Sequence, residues 1–260
     1  MARILAWIVW GLLVSACSQG SAPAQIEWSG PAETVSGPLS FTLTAPDGAP
    51  DSLLEVRLAE LDAPDEALAQ SALAAALDGR SVGLVHEADR SDRYGRIIAH
   101  VYLEGPGGGE ADWLQAELVR SGAVRVLSFA DNRRETGALL ALEAEARAAG
   151  RGLWAGDRLA VRPTNPDVLA QDIGSVQLVE GRVIEATRLR SGRVYLNFGA
   201  DYRTDFTVMI DAEHAGRFEA AGLDPLALET YRIRVRGWVE DENGPMIRVD
   251  HPERIEILED

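Results

Sequence analysis

Lysine is absent from the 260 residues, so all 25 basic side chains are arginines. Acidic residues number 41, giving a formal net charge of −16. A surface of that sign repels polyanions and disfavours broad, nonspecific binding to nucleic acid except where arginines gather locally. Where they gather, each presents a planar fork that can grip a phosphate through two hydrogen bonds. Cysteine occurs once, at Cys17, which excludes an internal disulfide and a multi-thiolate metal site. The four histidines, His86, His100, His214 and His251, lack the spacing of a zinc ligand set. The chain also lacks a P-loop-type glycine motif and a Gly-x-Ser-x-Gly nucleophile turn. Carboxylate and arginine chemistry remains.

The apolar run from Ile4 to Val14, preceded by Arg3, is too short to cross a bilayer as a mature helix and reads as a secretory signal. Ser15-Ala16-Cys17 behind it resembles a bacterial lipobox. That resemblance implies a signal over 1–17, lipidation of Cys17, and an exported protein anchored by lipid on the periplasmic side or cell surface. The small, polar residues that follow read as a tether over 18–34.

From residue 35 onward the pattern is mixed. "LSFTLT" at Leu39 to Thr44 alternates apolar and polar residues, and "LLEVRLAEL" resumes after a turn, so the two predict a hairpin. Helices are predicted at Glu66 to Leu77, Trp113 to Arg120 and Thr136 to Ala149, each followed by glycine. A proline-containing stretch at 156–174 without periodicity reads as a linker. Five strand-like runs and one helix, Glu213 to Ala221, then fill 175–260, as a small oligonucleotide-binding-type barrel requires. The fold class is α+β and mainly β, in two domains, 35–155 and 175–260. In the second, Arg232, Arg234 and Arg236 fall on one strand face, and Tyr195, Phe198, Tyr202, Phe206 and Trp238 offer aromatic rings. Acidic residues outnumber arginines from Glu180 onward, which favours a paired, solvated strand over a nucleic-acid platform.

Four stretches occur in order: "RLAELDAPD", "DRYGRIIAHVYL", "WLQAELVRSGAVRV" and "LEAEARAAGRGLW". Together they resemble the staphylococcal-nuclease (thermonuclease) family, whose fold is a five-stranded barrel with three helices. The resemblance implies calcium-dependent phosphodiester cleavage of nucleic acid. It casts Arg57 and Arg96 as phosphate clamps, Asp62 as a metal ligand and Asp65 in place of the general-base glutamate. Tyr94 falls on the loop where the family sets tyrosines against the nucleotide. Two departures stand out. The family's first strand carries an Asp-Gly-Asp-Thr motif, but the matching stretch here is Ser36 to Leu39, with Pro38 where a metal-binding aspartate is expected. Calcium binding is therefore expected to be weakened, since the site loses one of two carboxylates. Asp65 is also one methylene shorter than glutamate. The residues thus leave two functions open: an exported nuclease with altered metal dependence, and an inactive binding or envelope-scaffold module built on the same barrels.

Overall fold

The computed structural model describes residues 26–44, 53–86, 91–104, 112–156 and 159–258. Cys17, Asp47 and Asp51 lie outside them. In the first half the chain runs β1 (Trp28–Gly37), β2 (Ser40–Thr44), β3 (Leu53–Leu58), β4 (Leu61–Asp62), α1 (Glu66–Leu77), β5 (Ser81–Val85) and β6 (Ile97–Leu103). Then follow β7 (Asp112–Trp113), α2 (Leu114–Arg120), β8 (Arg125–Val126) and α3 (Thr136–Ala148). Strands β1, β2, β3, β6 and β5 pair in that order and close back onto β1, with β3 and β6 parallel and the other pairs antiparallel. Alternate residues point inward: Phe41 and Leu43, Val56 and Leu58, Val82 and Leu84, Ala99 and Val101 are all buried. Leu73 of α1, Leu114 and Leu118 of α2, and Leu139 of α3 join the same core.

Local chemistry explains several boundaries. α1 begins where Asp65 Oδ1 accepts a hydrogen bond from Leu68 N at 3.1 Å, and it ends before Gly79 in the left-handed region. Gln115, fully buried, donates to Ala99 O at 2.9 Å and accepts from Val101 N at 3.0 Å, which fastens α2 to β6. The stretch expected as a tether over 18–34 differs from expectation, because β1 starts at Trp28 and pairs with both β2 and β5. Its small, polar residues alternate between exposed and half-buried positions, so no apolar period marked the strand. The single strand expected over "LLEVRLAEL" is broken at Ala59–Glu60, where Glu60 takes φ +61°.

The second half contains β9 (Arg162–Pro163), α4 (Pro166–Leu169), β10 (Val176–Arg182), β11 (Glu185–Arg188), β12 (Val194–Asn197) and β13 (Thr207–Ile210). It continues through α5 (Ala215–Ala220), β14 (Arg232–Asp241), β15 (Pro245–Arg248) and β16 (Ile255–Ile257). The stretch read as a linker thus carries β9, paired in parallel with β10, and α4, which buries Leu169. β10 and β11 are one bent strand: its first part pairs with β14 and its second with β12. The path β11–β12–β13–β15–β14–β10, with β13 and β15 parallel, repeats the strand order of the first barrel. Asn243 and Gly244 form the hairpin turn between β14 and β15, both residues having positive φ. Phe206 and Phe218 are core residues here, while Tyr202 and Trp238 are exposed.

The arginine face of β14 is occupied by acids. Arg232 and Arg234 both pair with Glu180, at 2.5 and 2.7 Å. Arg236 is fully buried and reaches into the first half, pairing with Glu143 of α3 at 2.9 Å and with Glu256 at 2.7 Å. It also donates to Val126 O at 2.8 Å. Burial opposes the charge on Arg236, yet Glu143 and Glu256 raise its pKa; reciprocally, burial opposes the Glu143 carboxylate, but Arg236 holds its pKa down.

A second junction lies beside it. Ser128 Oγ and His251 Nε2 are 2.8 Å apart, and His251 Nδ1 is 2.6 Å from Asp250 Oδ1. This Ser-His-Asp arrangement has no substrate access, because Ser128 and His251 are both fully buried. It latches one barrel to the other. Burial raises the Asp250 carboxyl, but its hydrogen bond and charge interaction with His251 hold it down at about 2. A carboxyl below its unfolded value of about 3.9 stabilises the fold above that value, and the contribution fades as pH falls through about 2. Wild type is therefore expected to lose stability relative to Asp250→Asn between about pH 4 and 2, as read by urea unfolding at each pH.

Candidate functional site

Where β3 meets β6 and the chain between β8 and α3, a cavity of about 460 Å³ is lined by Arg57, Glu60, Asp92, Tyr94, Phe129 and Asp131 among others. Arg57, opposite Ile98 in the parallel β3–β6 pair, supplies its cation. Its one hydrogen bond within the described residues is a long one, Nη1 to Leu58 O at 3.4 Å, and no carboxylate there forms an ion pair with it. Burial lowers its pKa, and the nearby Arg96 charge lowers it further. A desolvated guanidinium with unused donors faces a cavity: this is what an anion site presents.

Glu60 forms the floor. It is fully buried, turned inward by its left-handed backbone. It accepts from Glu135 N at 3.1 Å and from Thr136 Oγ1 at 2.5 Å, and lies 3.1 Å from His100 Nε2. Its carboxylate is thereby spent on capping α3 and fixing His100.

The "DRYGR" loop forms the rim. Asp92 Oδ1 accepts from Tyr94 N at 2.9 Å and Arg96 N at 3.1 Å, while Oδ2 accepts from Arg96 Nε at 2.8 Å. Gly95, at φ +80°, permits the tight turn. Burial works against the Asp92 carboxylate, but the Arg96 side chain and the two amides lower its pKa. Arg96 is thus committed to Asp92 and acts on the cavity chiefly through its field. Tyr94 is 68% exposed, with the guanidinium of Arg93 4.8 Å and that of Arg96 5.3 Å from its ring centre.

Asp62 and Asp65 are elsewhere engaged and do not line the cavity. Asp62 pairs with Arg125 Nε at 2.7 Å, across the β4–β8 ladder. Asp65 caps α1. Pro38 sits in the β1–β2 turn, where Leu39 O accepts from Leu58 N at 2.9 Å and the neighbouring side chains, Ser36 and Ser40, bond each other at 3.1 Å. The described residues contain no group of three or more His, Cys, Asp or Glu that could hold a metal ion. Among the described residues the donors do not fit a calcium centre, which needs six to eight oxygens and several carboxylates.

Phe129, Asp131, Asn132 and Arg125 escaped the sequence reading. Phe129 and Asn132 bond each other's backbones at 3.1 and 2.9 Å, forming a turn whose only sequence signal was the polar "ADN" after an apolar run.

Comparison of the chain with curated proteins finds no match. Residues 55–156 match the family model described as Staphylococcal nuclease homologue. The matched stretch includes Arg57, the "DRYGR" loop and all three helices packed on the closed five-stranded barrel. Over residues 55–156 the first barrel is similar to the staphylococcal-nuclease family, and its closed five-stranded barrel with three helices fits that fold.

Proposed function

We propose that the first barrel binds a phosphate ester, such as a nucleotide or a nucleic-acid end, through Arg57, and that calcium-dependent cleavage is impaired. The observation that carries this reading is the half-buried Arg57 guanidinium, without a carboxylate partner among the described residues, in a concave site large enough for a nucleotide. Tyr94 offers a base or sugar an exposed aromatic face, and Arg96 adds positive potential. The net charge of −16 favours a small or terminal phosphate over a long duplex. Impaired turnover is supported by the engagement of Asp62 with Arg125, the capping role of Asp65 and the proline at position 38.

Titration of the full chain with a nucleoside 3′,5′-bisphosphate in calcium buffer, beside a DNA- and RNA-cleavage assay, tests the reading. Saturable binding lost in Arg57→Ala, with cleavage absent, is expected. Absence of binding, or rapid calcium-dependent cleavage, overturns it. The leader and Cys17 support an exported, lipid-anchored location, for which Cys17→Ser is expected to move the protein from the membrane to the soluble fraction.

A further inference from the structure

The Asp62 carboxylate has a resident cation. Arg125 is only 5% exposed, and its two ends join the two barrels: Nε donates to Asp62 Oδ2 at 2.7 Å, and Nη2 donates to Val176 O of β10 at 2.8 Å. The β4–β8 register sets Asp62 directly opposite Arg125, so the pairing is built into the backbone and does not rest on a chance rotamer. The second barrel then fixes the guanidinium from behind. Asp62 itself remains 27% exposed by side chain, close enough to the surface for its charge to be felt there. Asp62 stands on β4, which directly follows the β3 strand that carries Arg57, so an unpaired carboxylate at this point would oppose an anion entering beside Arg57.

Resting on the proposed phosphate-ester site, we infer that Arg125 is a built-in counter-ion which neutralises Asp62 in place of a divalent ion. Ligand binding at Arg57 is therefore independent of divalent cations, and the second barrel, through Val176 O, positions the residue responsible. Arg125 is a positioning residue; it does not touch the ligand. Arg125, held from both sides, occupies Asp62 Oδ2, one of the two oxygens a hydrated metal would need there.

The experiment is a fluorescence or calorimetric titration of the full chain with a nucleoside 3′,5′-bisphosphate, with excess chelator and again with calcium. Wild type is expected to give dissociation constants equal within about two-fold in the two buffers. In Arg125→Gln the exposed Asp62 charge is expected to weaken binding about ten-fold with chelator, and calcium is expected to restore most of it. Because Arg125→Gln removes a bond between the barrels, thermal unfolding is recorded alongside. Asp62→Asn keeps a hydrogen-bond acceptor for Arg125 and serves as the second variant. It is expected to bind as tightly as wild type or up to about three-fold tighter in both buffers.

A wild type that binds only with calcium, or an Asp62→Asn variant that loses binding, overturns the resident-cation inference while leaving Arg57 as the phosphate contact. Failure of wild type to bind in either buffer instead overturns the phosphate-ester reading itself.

Discussion

Arg236→Ala is expected to lower the unfolding free energy by about 3–5 kcal/mol, the usual cost of breaking a buried ion pair from one side. The cost arises from what is left behind. Glu143 is fully buried, and without Arg236 it keeps only Arg147, at 3.3 Å, as an ion partner and Val126 N as a donor. Glu256 keeps Arg234 at 3.3 Å, and Val126 O loses its donor from Arg236. Urea unfolding gives the number directly, and a loss below about 1 kcal/mol would mean that water enters and solvates the acids. The double variant Arg236→Met with Glu143→Leu is expected to recover much of the loss, because a buried pair exchanged for apolar volume is often close to neutral. Recovery will be incomplete, since both Val126 backbone groups lose their side-chain partners.

Arg57→Ala is expected to move in the opposite sense on stability and strongly on binding. Its guanidinium donates one long hydrogen bond and has its charge opposed by burial and by Arg96, so its removal should leave the unfolding free energy unchanged or slightly raised. Phosphate-ester affinity should fall by about 100-fold, equivalent to about 2.7 kcal/mol, the loss of a bidentate charge-assisted contact. Arg57→Lys should recover only part of it, because an ammonium cannot make the paired contact. Lost binding with retained stability is the signature of a ligand contact. Lost binding with lost stability would assign Arg57 to the scaffold.

The legible part of the site was local. "RLAELDAPD" and "DRYGR" carried the positions of Arg57, Asp92 and Arg96, and the N-cap Asp65 with Gly79 bounded α1 within the residues themselves. The family resemblance also carried the barrel and its three helices. Illegible features depended on contacts far apart in sequence. Period two puts Arg232, Arg234 and Arg236 on one face, but the acids that meet them come from β10, β16 and α3. Arg125 is 63 residues from Asp62 and lies in a stretch that reads as a helix exit. Glu60 turns inward only because its backbone takes a left-handed conformation, which a non-glycine residue rarely advertises. β1 begins in small, polar residues whose strand character comes from two neighbouring strands and not from apolar alternation.

Arg57 is the proposed phosphate contact of a nuclease-like barrel in which Asp62 pairs with Arg125 and Asp65 caps α1. The most direct measurement is a calorimetric titration of wild type and Arg57→Ala with a nucleoside 3′,5′-bisphosphate under identical conditions. Saturable one-site binding by wild type, weakened about 100-fold in the variant at equal thermal stability, is the predicted result. Equal affinity of the two proteins, or no heat from wild type, would contradict it.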